Sequence, residues 1–159
     1  MATVEQQVHV APGSSQDIDG VMRVMDAAFG DRFGEAWTRS QLSGILPMAG
    51  VSLILAREPG SGDALGFSLF RTVADESELL LIAVTPAQHR RGVGRMLLDD
   101  FLDRARNHGV SRVHLEVREG NSAVRMYREA GFSPVGRRRN YYHASDGQRF
   151  DAVTLAYQL

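Results

Sequence analysis

The stretch that most restricts how this chain can fold runs from Glu78 to Gly109. It opens with a nearly continuous apolar run, Glu78 to Val84, as expected for a strand buried on both faces. Thr85-Pro86 ends that run. A basic turn with two glycines follows, Gln88 to Gly94, and a helix is then expected to reach about Gly109. Met96, Leu97, Leu98, Phe101, Leu102 and Ala105 form the apolar stripe of that helix, and Gly109 suits the position just past its end. A buried strand, a glycine turn and an amphipathic helix in this order fit a mixed α/β domain.

The flanking segments fit that plan. Ser14-Ser15-Gln16-Asp17 supplies N-cap chemistry before Ile18, Val21, Met22, Met25 and Phe29, which recur at helical spacing. Thr38-Arg39-Ser40-Gln41 has capping-box form and opens a short second helix that Pro47 stops. Val51 to Arg57 and Ala64 to Thr72 are expected strands around the turn Glu58 to Asp63. Val113, Leu115 and Val117 alternate with His114 and Glu116, so that strand has an apolar and a polar face. Asn121 or Ser122 caps a helix expected over Ser122 to Ala130, closed by Gly131. Phe132 to Ala144, the turn Asp146-Gly147 and Arg149 to Tyr157 read as a β-hairpin. With 159 residues and no repeat or long linker, one mixed α/β domain over residues 1–159 is expected.

Composition removes several mechanisms. There is no cysteine, which excludes disulfides, thiolate metal sites and a cysteine-bound intermediate. All 18 basic residues are Arg, so a Schiff-base lysine and a P-loop lysine are excluded too. Five scattered histidines show no metal spacing, and no metal is expected. A net charge of -1 argues against gripping nucleic acid. Arg137-Arg138-Arg139 does not change this, since three arginines on an alternating strand cannot all face one way. No apolar run approaches a membrane span and Met1 to Gly13 lacks a secretory pattern, so a cytoplasmic protein is expected.

The basic turn carries the most legible chemistry. In Arg90-Arg91-Gly92-Val93-Gly94-Arg95, glycines let the backbone approach a ligand without a Cβ in the way. The amides that open the helix have no intrahelical partner, and the helix dipole adds about half a positive charge there. Such a turn suits an anion site for phosphate, and an ordinary strand-to-helix turn that contains glycines is the other reading. A dinucleotide fold would want a glycine where Leu97 stands, and a P-loop would want Gly-Lys-Ser/Thr.

Ile82-Ala83-Val84, Pro86 and Gln88-His89-Arg90-Arg91-Gly92-Val93-Gly94-Arg95 together resemble the acetyl-CoA signature of the GCN5-related N-acetyltransferases. That pattern is Gln/Arg-x-x-Gly-x-Gly/Ala; this chain departs from it with His89 at the first position and Gln88 one place earlier. Leu115-Glu116-Val117-Arg118, Asn121, Tyr127 and Gly131-Phe132 resemble the family's later motif. The tail Arg138-Arg139-Asn140-Tyr141-Tyr142, Asp146-Gly147 and Asp151-Ala152 resembles the branch that acetylates the N-terminal alanine of the eighteenth small-subunit ribosomal protein. The resemblance implies a mostly antiparallel twisted sheet with helices on both faces and a C-terminal β-hairpin. It implies acetyl-CoA as co-substrate, held by Ile82, Ala83, Val84, His89, Arg90, Arg91, Gly92, Val93, Gly94, Arg95 and Asn121. It also implies a protein N-terminus as acceptor; a monomer or weak dimer is expected.

Transfer from a thioester to an amine needs a bound coenzyme, a deprotonated amine, a stabilised carbonyl oxygen and a protonated leaving thiolate. An α-amine with a pKa of about 7.7–8.0 needs only a modest push. Glu116 is the candidate base, on the polar face of its strand, where partial burial would raise its pKa; a solvated strand glutamate is the other reading. Tyr127 is the candidate acid, and a packed core aromatic is a reading that can hold at the same time. Asn121 is either a coenzyme contact or a plain helix cap. The oxyanion donor implied by the resemblance is a backbone N–H near Val84. Tyr141 and Tyr142 are candidate walls of the acceptor groove, and Trp37 is a groove, core or lid residue. Three functions remain: protein N-terminal acetylation, acetylation of a small amine, or coenzyme A binding without catalysis.

Overall fold

The computed structural model describes residues 7–159, with the side chain of Arg90 outside the described part. The chain runs β1 (His9–Pro12), α1 (Ile18–Ala28), α2 (Arg39–Ile45), β2 (Val51–Arg57), β3 (Ala64–Val73) and β4 (Glu76–Val84). It continues through α3 (Val93–Asn107), β5 (Arg112–Arg118), α4 (Ala123–Glu129), β6 (Ser133–His143) and β7 (Arg149–Gln158). The strands form one sheet of order β1-β2-β3-β4-β5-β7-β6. Neighbours are antiparallel except β4 and β5. This is the mixed fold, with its C-terminal hairpin, that the sequence leads one to expect.

Alternation along the strands divides the core in two. Leu53, Leu55, Phe67 and Leu69 point to the face covered by α1 and α2, against Val21, Met25 and Leu42. Ile54, Phe70, Leu79 and Leu115 point to the face covered by α3 and α4, where Leu97, Leu98 and Phe101 are fully buried. Phe101 lies 5.0 Å from Phe70 between ring centroids; truncating it to alanine would cost about 3–5 kcal/mol. The capping box expected at Thr38–Gln41 forms, and Ser14 and Asp17 supply a second. Thr38 accepts from the Gln41 amide while Gln41 accepts from the Thr38 amide, and Ser14 and Asp17 do the same before α1.

Two details differ from the sequence reading, and a third decides between its alternatives. β1 was not anticipated, because its four residues end in a proline and pair only at the sheet edge. The turn before α3 is a 3₁₀ turn, Pro86–Arg91, closed by Gly92 at φ 72°, a left-handed conformation that glycine adopts at no steric cost. Ahead of α4 it is Asn121 that caps, accepting from the Ala123 amide at 2.8 Å, while Ser122 makes no cap bond.

One irregularity makes the site. β4 and β5 pair only from Glu76↔Arg112 to Leu79↔Leu115, although β4 runs on to Val84 and β5 to Arg118. At that point β4 carries a bulge: Phe70 faces Leu79 and Leu69 faces Leu81, leaving Leu80 as the extra residue. A bulge bends its strand and increases local twist. β4 stays bonded to β3 as far as Val84↔Gly66, and β5 stays bonded to β7 as far as Arg118↔Ala152. The two halves of the sheet therefore part like a wedge, and the facing edges of β4 and β5 have no ladder partner in each other.

Candidate active site

The wedge opens into a cleft of about 720 Å³. Backbone edges that would pair in a closed sheet line it instead, and buried N–H and C=O groups require partners. β4, the turn before α3 and the start of α4 line it with Ile82, Ala83, Val84, His89, Gly92, Gly94, Arg95, Asn121, Ser122 and Met126. Phe29, Phe33, Glu35 and Trp37 at and after the end of α1 line it too, with Glu116, Arg118, Tyr141 and Tyr142. Tyr127 lines the cleft between α4 and the sheet.

Most of the residues singled out in the basic turn meet here, but not all. Gly92, Gly94 and the α3 N-terminus face the cleft, and Arg95 lines it while pairing with Asp99 at 2.9 Å. Val93 is fully buried in the core, so only its backbone can face a ligand. Arg91 turns outward: its guanidinium pairs with Glu58 at 2.7 Å and Gln88 at 2.9 Å, tying the turn to the β2–β3 connection. His89 Nε2 lies 3.3 Å from the Val84 carbonyl, as a donor when that nitrogen carries the proton. The departure at this position thus fastens the turn to the end of β4.

Glu116 projects from β5 with its side chain 18% exposed, and Arg138 Nε approaches its Oε1 at 2.7 Å. Tyr127 is buried, with its ring edge-on to Phe132 at 5.9 Å. The core reading of this residue holds, and its side chain also lines the cleft. Burial, with the Tyr142 and Glu35 charges as smaller contributors, raises its hydroxyl well above the ordinary value of 10. Its proton is therefore held more tightly than an ordinary tyrosine's, which suits a hydrogen-bond donor and makes full ionisation costly. Burial likewise pushes Tyr142 up to about 12, with help from Glu35.

The β6 strand aims its tyrosines by a local distortion. Pairing with β7 is irregular between Arg138 and Tyr142, and Asn140 there has φ 51°. Asparagine tolerates that conformation better than most residues, and the Asp151 carboxylate accepts from its amide at 2.9 Å. Tyr141 and Tyr142 stand edge-on to one another at 5.0 Å, with Tyr141 exposed and Tyr142 half-buried.

Two residues of the cleft carry a link that sequence does not suggest. Glu35 accepts from Arg118 Nε at 3.1 Å and from Asn121 Nδ2 at 2.8 Å. Arg118 was visible only as part of a motif, and Glu35 sits in a loop with no distinguishing pattern. Their separation in the chain hides the pairing.

Comparison with known proteins agrees with this geometry. A model of the acetyltransferase (GNAT) family matches residues 19–132. The ribosomal protein bS18 alanine N-acetyltransferase of Escherichia coli K12 is 40% identical over 97 residues, 60% of this chain and 65% of that protein. The N-alpha-acetyltransferase RimI of Mycobacterium tuberculosis is 48% identical over 88 residues, 55% of this chain and 52% of that one. The alignments thus span less than two thirds of these relatives' own length. The crystal structure of the E. coli ribosomal-protein-S18 alanine N-acetyltransferase superposes with a TM-score of 0.86 at 27% identity, over 96% of this chain and 94% of that one. Ard1 from Thermoplasma volcanium gives 0.82 at 27% identity, over 96% and 97%. With a family model matching most of its length and a wedge-shaped cleft at the expected turn, the chain belongs to the GNAT acetyltransferase family.

Proposed function

We propose that this chain transfers the acetyl group of acetyl-CoA to the α-amine of a protein N-terminus beginning with alanine, that of ribosomal protein bS18. The single observation that carries the reading is the parting of β4 from β5 beside a helix N-terminus. Unpaired strand amides can receive the amide groups of a pantetheine arm, and the amides around Gly92 to Gly94 can receive a pyrophosphate. The relatives named for bS18 acetylation, and the two tyrosines that line the cleft, support a peptide as acceptor.

In this reading Glu116 takes one proton from the incoming ammonium, directly or through a water, and releases it to solvent. The freed nitrogen lone pair attacks the thioester carbonyl carbon; the C–N bond forms and the C–S bond breaks. A backbone N–H near the end of β4 stabilises the carbonyl oxygen. Tyr127 hydrogen-bonds the departing sulfur and passes its proton on only as it receives the second nitrogen proton, so no free phenolate forms in the buried site. Without a cysteine to hold the acetyl group, transfer is direct within a ternary complex. His89, Gly92, Gly94, Arg95 and Asn121 hold the coenzyme; Tyr141 and Tyr142 hold the peptide.

The test is incubation with acetyl-CoA and either an alanine-starting peptide of the bS18 sequence or a panel of free polyamines, amino acids and aminoglycosides, read by mass spectrometry. Acetylation of the peptide N-terminus alone is expected. Acetylation of the small amines in its place would move the reading to that substrate class, and coenzyme binding without any product would leave a binding module.

A further inference from the structure

The loop between α1 and α2, which forms one wall of the cleft, is anchored by a nearly buried charge. The side chains of Glu35 and Arg118 are only 10% and 9% exposed. Arg118 Nε donates to one Glu35 carboxylate oxygen and Asn121 Nδ2 donates to the other. Above the guanidinium lies the Phe33 ring, 3.7 Å from Cζ to centroid, with Phe150 edge-on to Phe33 at 5.3 Å. Gly34, at φ 74°, packs so closely on the hairpin that a Cβ there would lie 2.1 Å from the His143 carbonyl oxygen. A single carboxylate therefore fastens the loop to the junction of β5 and α4.

Such a pair is a poor way to gain stability, because apolar residues of the same volume would fill the space at least as well. What it supplies is geometry. Asn121 is shared: its Oδ1 accepts from the Ala123 amide and so fixes the first turn of α4, while its Nδ2 holds Glu35. Glu35 and Asn121 thus bond the loop after α1 to the cap of α4, with Arg118 of β5 on the second carboxylate oxygen. Glu35 also bears on Tyr127 and Tyr142, whose hydroxyls its charge helps to keep protonated.

We propose that Glu35, Arg118 and Asn121 are positioning residues that couple coenzyme binding at α4 to the order of the acceptor wall. The inference rests on the function proposed above. A coenzyme seated between β4 and α4 steadies Asn121, Asn121 steadies Glu35, and Glu35 steadies the loop bearing Phe33 and Trp37 against the incoming peptide. The coupling is reciprocal, so the peptide must tighten the coenzyme by the same factor.

The experiment is calorimetric titration of an alanine-starting peptide into the full chain, with and without saturating coenzyme A. In the wild type, coenzyme A is expected to lower the peptide Kd at least threefold. Glu35→Gln offers one acceptor oxygen where two donors wait, and is expected to bring the ratio towards one while the Kd for coenzyme A stays within twofold. Arg118→Lys keeps the charge but loses the planar fork, and is expected to leave a ratio between the two. A wild-type ratio of one, or an unchanged ratio in folded Glu35→Gln, overturns the coupling; the wild-type measurement decides it even if the variants fail to fold. Failure of coenzyme binding or of turnover would instead sink the function itself.

Discussion

Burial of Tyr127 sets two measurable properties of one side chain. Its hydroxyl keeps its proton far into the alkaline range, and so does that of Tyr142, raised to about 12. A folded pKa above the unfolded value of about 10 contributes stability that is complete below pH 10. That contribution falls away as pH rises towards the folded value, so alkaline unfolding is expected to begin above about pH 10 and to steepen towards about pH 12. Ultraviolet titration of the phenols should show two tyrosines ionising late, and Tyr142→Phe should remove one of them. For catalysis, Tyr127→Phe keeps the ring and removes the donor. It is expected to lower kcat by about 10²-fold or more with the KM for acetyl-CoA little changed, checked by steady-state kinetics. Glu116→Gln is expected to cost kcat on the same scale. It also removes the anionic partner of Arg138, so its effect on peptide KM separates positioning from proton transfer. Glu116 stood out in the sequence through strand alternation, and Tyr127 through the resemblance of its motif to the family's. Glu35 did not, since no local pattern marks a loop glutamate whose partners are Arg118 and Asn121.

At the scale of elements, the helices and long strands were legible because their periods of burial are long and their caps are chemical. Val93 and Arg91 show the limit: turn residues read as one unit point in three directions, into the core, towards Glu58 and towards the cleft. Nor could the bulge at Leu80 be read from Leu79-Leu80-Leu81-Ile82, where apolar residues succeed one another without alternation. The loop after α1 yields an element-scale expectation. Gly34→Ala must leave a left-handed conformation or push the His143 backbone aside. It is expected to raise the peptide KM several-fold while sparing the Kd for coenzyme A, measured on the folded variant. The start of α1 gives another. Burial opposes ionisation of Asp17, but the Ser14 amide and Arg57 outweigh it and hold its carboxyl below the ordinary 3.8. A depressed folded pKa gives stability present above the unfolded value of about 3.9 and lost as pH falls through the folded one. Asp17→Asn should therefore lower the melting temperature at neutral pH and narrow the gap to wild type in acid.

Over the whole molecule, function follows from a sheet that closes on its outer strands and opens in its middle. β3 holds β4 through Val84 and β7 holds β5 through Arg118, while the bulge turns β4 away. Among the described residues no helix is long and apolar enough to cross a membrane, and no cluster of His, Asp and Glu could hold a metal ion. The central claim is that main-chain amides of the open strand edge and of the following turn receive the coenzyme. Amide hydrogen exchange with and without coenzyme A tests it most directly. Protection is expected to rise over Leu80 to Val84 and Gly92 to Met96, with little change in β1 and β2. Binding that leaves those amides exchanging as before, or protects another part of the sheet, would contradict the account.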